Sequence, residues 1–198
     1  MSTSFLLIIL LVAYLIGAIP CGVLLTRFFG SGDIRAAGSG NIGATNVYRV
    51  AGKKLGLLTL LGDLLKGAIP VGIAKFALHF PEWGIAAVAV AAFLGHCYPV
   101  YLRFKGGKGV ATALGIYLIL SPWAVLIALL VFGGILYQTR YVSLGSIAAA
   151  LLLPFLVLFI NHSHPLLAAS LLISILVILR HSANIRRLLD HTESRFNT

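Results

Sequence analysis

The chain has 198 residues, 60% of them apolar and 10% charged, where a soluble domain carries roughly 45–50% apolar and about 25% charged residues. That balance excludes both a soluble globule and a disordered chain, and the chain is read as an all-α integral membrane protein. The 15 Lys and Arg against 5 Asp and Glu give a net charge of +10. With a mean hydropathy of +1.02, the partner for that charge is membrane lipid or an anionic substrate beside it, not nucleic acid.

Met1–Ser4 carries no Lys or Arg, and no small-x-small cleavage site follows, so the first apolar stretch reads as a retained span. Phe5–Leu25 is long enough to cross a hydrocarbon core of about 30 Å. Further apolar stretches follow at 55–78, 84–102, 110–120, 122–137, 144–160 and 165–180. The breaks between them carry turn chemistry, as in His79-Phe80-Pro81-Glu82, Gly106-Gly107-Lys108-Gly109, Ser121-Pro122 and Asn161-His162-Ser163-His164-Pro165. Residues 110–137 could be one kinked helix or two short ones, and the basic residues choose between them. Apart from Lys66 and Lys75, every Lys and Arg lies in the first, third or fifth connection or in the tail. The positive-inside rule places all four segments in the cytoplasm only if 110–137 crosses twice. Seven transmembrane helices are therefore expected, two of them short, with the N-terminus outside and the C-terminus cytoplasmic, in a single domain over 1–198. Trp83, Trp123 and Tyr141, near predicted ends, suit the interface. Cys21 and Cys97 lie in apolar stretches and read as buried apolar residues.

The cytoplasmic segments hold more than connectors. Gly38-Ser39-Gly40-Asn41-Ile42-Gly43-Ala44-Thr45-Asn46 alternates glycines with small hydrogen-bonding side chains, and Arg49 follows. Glycines let successive backbone N–H groups face one concavity, to which Ser, Thr and Asn add donors. The pattern reads as an anion site or as a flexible polar loop, and Asp33 and Arg35 read as its structural neighbours. In the third connection, Gly106, Gly107 and Gly109 surround Lys108 just before a predicted helix, which suits phosphate. The spacing is not that of a Walker A loop, so nucleotide hydrolysis is not supported. In the tail, His181 and Asn184 share a helix face. A histidine there could act as a base, donate to a phosphate or serve structurally. His96 reads as a packed, hydrogen-bonded residue, and Asp63 and Lys66, at i and i+3, read as an ion pair. Five carboxylates in all argue against a carboxylate-rich metal site, and there is no Gly-x-Ser-x-Gly elbow.

Taken together, GSGNIGATN (Gly38–Asn46), GHCYPVYLRFKGGKGVAT (Gly95–Thr112) and LRHSANIRRL (Leu179–Leu188) resemble the motifs of the bacterial acyl-phosphate:glycerol-3-phosphate acyltransferases, the PlsY-type family. The likeness covers nearly the whole chain. Where family members often carry glycine near the tail glutamate, this chain has His191 before Thr192-Glu193. The resemblance implies transfer of a fatty acyl group from acyl phosphate to the 1-hydroxyl of glycerol 3-phosphate, giving lysophosphatidic acid and phosphate at the cytoplasmic face of the bacterial inner membrane. It implies catalytic roles for Ser39, Asn46, His181 and Asn184. It implies substrate-phosphate binding by Asn41, Thr45, Arg49, Gly106, Gly107, Lys108, Gly109 and Ser146. No metal or cofactor is expected, and the enzyme that makes acyl phosphate is a candidate partner. An organic-phosphate transporter is the alternative. Such proteins commonly have repeated halves and midplane sites, neither of which the sequence displays.

Overall fold

The computed structural model describes residues 2–196. Met1, Asn197 and Thr198, the ends of the expected 1–198 domain, lie outside the described residues. The described residues are helical, without strands: α1 (Thr3–Gly17), α2 (Cys21–Phe28), α3 (Ala44–Gly72), α4 (Glu82–Cys97), α5 (Val110–Leu120), α6 (Pro122–Thr139), α7 (Val142–Asn161), α8 (His164–Arg180) and α9 (Ser182–Leu189). Among them, four stretches are long and apolar enough to cross a membrane, or up to six if each of two bent helix pairs is one span. At 11 residues, α5 is shorter than these.

The expected first span is not one helix. It breaks into α1 and α2, bent by 43°, because Pro20 lacks an N–H and restricts Ile19 before it. Helix α3 begins earlier than the apolar pattern did, at Ala44, and kinks at Gly52 (φ 86°). Its first segment therefore carries Thr45, Asn46 and Arg49. Helix α4 stops at Cys97 ahead of Pro99, and Val100–Leu102 is a 3₁₀ turn in what the sequence suggested was continuous helix.

The chain forms two compact units, Met1–Ile119 and Leu120–Thr198. In the first, α1 packs along α4, and α3 packs on α2 and α4. The approaches are at backbone distance. A Cβ at Gly17 would fall on Ala92 O and one at Gly95 on Tyr14 O, while Gly67 and Gly115 bring α3 and α5 together against Thr112 O and Leu64 O. Small residues are how membrane helices gain packing contact where lipid supplies no hydrophobic drive. In the second unit, α7 packs on both α6 and α8. Leu7, Leu57, Leu130 and Phe159, each at least 60% exposed, form surface that lipid would solvate. Trp83 and Trp123 are exposed near the starts of α4 and α6.

These contacts rank the glycines. Gly17→Leu should lower thermal stability in detergent by roughly 1–3 kcal/mol through overpacking. Gly134→Ala, where the added atom meets nothing within 4 Å, should be neutral or raise it by up to about 1 kcal/mol. Thermal unfolding of the purified variants checks both.

Candidate active site

The first motif is a folded loop held by one asparagine. Ile34, Ile42 and Val47 plug into a buried cluster with Val23 and Leu55, which pins the chain on both sides of the glycines. Asn46, 3% exposed, accepts from Ser39 N through Oδ1 (2.8 Å) and donates from Nδ2 to Ile34 O, Ala37 O and Asn41 O (2.9–3.3 Å). Gly38 (φ 58°) must be glycine twice over, since a Cβ there would also collide with Asn46 Oδ1. Asn41 Oδ1 accepts from Gly43 N at 2.9 Å, closing an Asx turn into α3. Asn46 thus spends its amide on loop backbone, while Ser39 and Arg49 stand exposed and Thr45 half-buried. Asp33 is structural, as its neighbourhood suggested. It caps Ile34–Ala36 by accepting from Arg35 N (3.0 Å), and it pairs with Arg35 and Arg27. The hydrogen bonds from Arg35 hold its carboxyl well below the usual carboxylate range.

The glycines of the second loop have a structural reason that the sequence did not suggest. A Cβ at Gly106 would strike His96 O, one at Gly107 would strike the His96 ring, and one at Gly109 (φ 82°) would strike Phe93. The loop lies flat on the last turn of α4, and Gly107 N donates to His96 O (3.2 Å). Lys108, half-buried, is the one side chain longer than glycine's hydrogen between Gly106 and Gly109. It projects from a backbone with little freedom. A cleft of about 430 Å³ lies beside this loop's entrance, lined by Arg35, Tyr101, Leu102, Arg103 and Lys105. Three cations and no carboxylate line it, so it favours anions.

In the second unit, the tail folds back on the start of α7. Glu193 accepts from Ser143 Oγ (2.7 Å), Asn184 Nδ2 (2.6 Å) and Arg187 Nε (2.7 Å). Phe196 N donates to Arg140 O (2.7 Å), and the Arg195 guanidinium lies over the Tyr141 ring. Burial alone would push the Glu193 carboxyl up, but the hydrogen bonds from Ser143, Asn184 and Arg187, with the Arg187 charge, outweigh it and leave the net shift downward. Asn184 Oδ1 is buried without a hydrogen-bond partner among the described residues. His181, 2% exposed, sits at the 54° bend between α8 and α9 with Nδ1 at 2.8 Å from Val177 O. A carbonyl can only accept, so Nδ1 carries the proton and Nε2 is the accepting nitrogen of the neutral ring. Ser146 Oγ donates to Val142 O (2.8 Å). No group of three His, Cys, Asp or Glu among the described residues could hold a metal ion.

The family model described as glycerol-3-phosphate acyltransferase matches residues 7–191. The chain belongs to that acyltransferase family. A glycerol-3-phosphate acyltransferase of Syntrophotalea carbinolica is 63% identical over 194 residues, covering 98% of each chain. Among solved structures, the glycerol 3-phosphate form of PlsY (YgiH), an integral membrane glycerol 3-phosphate acyltransferase, superposes with a TM-score of 0.93 at 43% identity, covering 98% of this chain and 96% of that one. The lysophosphatidic acid form of PlsY superposes with a TM-score of 0.90 at 42% identity, with the same coverage.

Within this acyltransferase chain, the first unit holds Ser39, Asn41, Thr45, Asn46, Arg49 and the Gly106–Gly109 loop, and the second holds Ser146, His181 and Asn184. Helical spacing had paired His181 with Asn184, and both are buried at the α8–α9 bend. The sequence reading missed Ser143 and Glu193 as neighbours of Asn184. They lie 41 and 9 residues away, as the chain counts from 143 to 184 and from 184 to 193, and no periodicity links them. The available signal was His191. It adopts φ 55°, a conformation natural to glycine, and so marks a chain reversal that returns Glu193 to the helix.

The direction of the Glu193 shift predicts a pH dependence. Its folded value lies below the ordinary 4.5, so its contribution to stability is present above that pH and is lost as pH falls through the folded value. Glu193→Gln should therefore be less stable than the parent at neutral pH, with the gap narrowing below about pH 4.5. Parallel melting curves from pH 7 downwards give the comparison.

Proposed function

We propose that the chain is a membrane acyltransferase that moves a fatty acyl group from acyl phosphate to the 1-hydroxyl of glycerol 3-phosphate, releasing lysophosphatidic acid and phosphate in phospholipid synthesis. One observation carries the reading: a single lysine, Lys108, projects from a glycine loop pressed on α4, beside a cleft lined by three cations. Both substrates carry phosphate, and fixed cations and N–H donors are what phosphate recognition needs. The family model runs through both units, which supports one acyltransferase domain over the whole chain.

In the proposed reaction, the 1-hydroxyl oxygen forms a bond to the acyl carbonyl carbon, and the bond from that carbon to the phosphate oxygen breaks. Phosphate leaves with its electron pair, so no acyl-enzyme is needed. Lys108 and Arg49 neutralise phosphate charge, with Gly106, Gly107, Gly109, Asn41 and Thr45 as the surrounding backbone and donors. Ser39, exposed on the glycine loop, donates to the developing oxyanion, and Asn46 acts by shaping the loop. In the second unit, the Ser146 hydroxyl turns from Val142 O to donate to phosphate, and His181 and Asn184 orient the acceptor. Nδ1 of His181 faces a neutral carbonyl, not a carboxylate, so an imidazolium gains little there. We assign the hydroxyl proton to a phosphate oxygen of the substrates.

For topology, the reading is seven spans, with the N-terminus outside and the active site at the cytoplasmic face of the inner membrane. The apolar α5, short as it is, supports a seventh span beside the two bent pairs and four long helices. The enzyme that makes acyl phosphate is the proposed supplying partner.

Assay of purified protein with acyl phosphate and glycerol 3-phosphate should release phosphate one-for-one with lysophosphatidic acid, and acyl-CoA should not substitute. Lys108→Ala removes a charge-assisted contact worth about 1.5–3 kcal/mol, so KM for a phosphate substrate should rise about ten- to a hundredfold. His181→Ala should raise KM while the acidic limb of the pH–rate profile survives. Loss of that limb, with kcat down about 10²–10⁴, would make His181 the base instead.

Cysteines introduced at the exposed positions Gln138 and Ser182 should be shielded from an impermeant thiol reagent outside intact cells. One at His162 should be labelled. Labelling at Gln138 would refute the double crossing of 110–137.

A further inference from the structure

A connected set of buried polar groups runs through the first unit, and no step of the proposed reaction uses it. Lys66, Asp63 and His96 are 4%, 2% and 3% exposed, on helices whose other residues are largely apolar. Ionisable groups at such positions are costly and need a reason. The Lys66 ammonium donates to Ile19 O (2.7 Å), a carbonyl at the break where Pro20 interrupts the first helix pair. The same ammonium pairs with Asp63 Oδ1 at 2.8 Å. Asp63 Oδ1 lies 3.8 Å from His96 Nδ1, and Thr112 Oγ1, 0% exposed, lies 3.1 Å from that nitrogen.

The two faces of the His96 ring system meet different things. A carboxylate can only accept, so Asp63 favours the tautomer with Nδ1 protonated, and Thr112 Oγ1 accepts beside it. Nε2 then points the other way, at the glycine loop. A Cβ added to Gly107 would fall on Nε2, with Cε1 and Cδ2 at 2.9 and 3.2 Å. The backbone of the same histidine holds the loop a second time, through Gly107 N to His96 O. The histidine is thus held on one side by its hydrogen bond to Thr112, with the Asp63 charge nearby, and on the other side it sets where Gly107, and therefore Lys108, can lie.

We infer that His96 is a positioning residue for Lys108, with Nδ1 anchored by Thr112, the Asp63 carboxylate of the Lys66–Asp63 pair facing that nitrogen at 3.8 Å, and the Nε2 edge fixing the glycine loop. This deepens the phosphate-loop reading and rests on it. The effect of disturbing His96 is on phosphate affinity through Lys108, because the ring is buried (3% exposed) against the loop.

The test uses the full chain in detergent, with KM for each substrate, kcat and thermal midpoint measured on every variant. His96→Leu should raise KM for the phosphate substrate that Lys108 serves by about tenfold, with kcat changed less. His96→Gln, whose amide reaches the Nε2 position, should recover most of that loss, and His96→Asn, which reaches only the Nδ1 position, should not. Combined with Lys108→Ala, His96→Leu should add little beyond the single lysine change, because both act on one contact. Should His96→Leu fail to fold, Thr112→Val removes the Nδ1 anchor at nearly constant shape and should raise the same KM by about two- to tenfold. Reduced kcat and midpoint with unchanged KM, equal rescue by Asn and Gln, multiplicative effects in the double variant, or an unaltered KM in Thr112→Val would each overturn the inference. If Lys108→Ala leaves KM for both substrates unaltered, the phosphate-loop reading itself fails. A raised KM in Lys108→Ala beside an unaltered one in His96→Leu sinks only the positioning role.

Discussion

A lysine ammonium buried in an apolar helical unit must be met by a carboxylate and by carbonyls, or it will not stay charged. Lys66 meets both conditions, at Asp63 Oδ1 and at Ile19 O, and much of the first unit follows from that. At the break in the helix pair α1–α2, Ile19 O accepts from Cys21 N (3.1 Å) and, on its other lone pair, from the Lys66 ammonium of α3. The charge so introduced needs Asp63, and Asp63 in turn faces His96 on α4. Lys66 and Asp63 therefore depend on one another, and removing either leaves the other as a buried charge without its partner.

Close backbone approach is the second constraint. Glycine at 17, 67, 95 and 115 lets α1 meet α4 and α3 meet α5 with no side chain between them. The same device continues in the Gly106–Gly109 loop, where three glycines lay the chain on the end of α4. Packing and anion recognition make compatible demands here. A backbone pressed flat against a helix is stiff, and in the proposed reading a stiff backbone would present Lys108 with less entropy to lose on binding phosphate. The first loop reaches stiffness by another route, with Asn46 tying together the backbone of Ile34, Ala37, Ser39 and Asn41.

The second unit solves its own problem with a carboxylate. Glu193 collects three donors, Ser143 from α7 and Asn184 and Arg187 from α9, which fixes the amide of Asn184 with its nitrogen towards Glu193 and its oxygen away. Because a carboxylate cannot donate, the orientation of that amide is decided by chemistry. Asn184 Oδ1 is left as an acceptor, suited to a hydroxyl and unsuited to a phosphate oxygen.

Composition alone determined the solvent of this protein: with 60% apolar and 10% charged residues, no soluble core could hold the chain. Local pattern determined the helices, their glycine-rich connections and the pairing of His181 with Asn184, because helical periodicity and turn chemistry act over a few residues. It also exposed the three motifs by which the family is known. Tertiary structure alone decided that Lys66 donates to Ile19 O, since the two are 47 residues apart. It decided that the loop glycines serve contact with α4, and that Glu193, returned by the left-handed turn at His191, holds Asn184. Those relations join groups distant in sequence through the geometry of packed helices, and neither composition nor spacing encodes which carbonyl, ring or carboxylate will be within 3 Å.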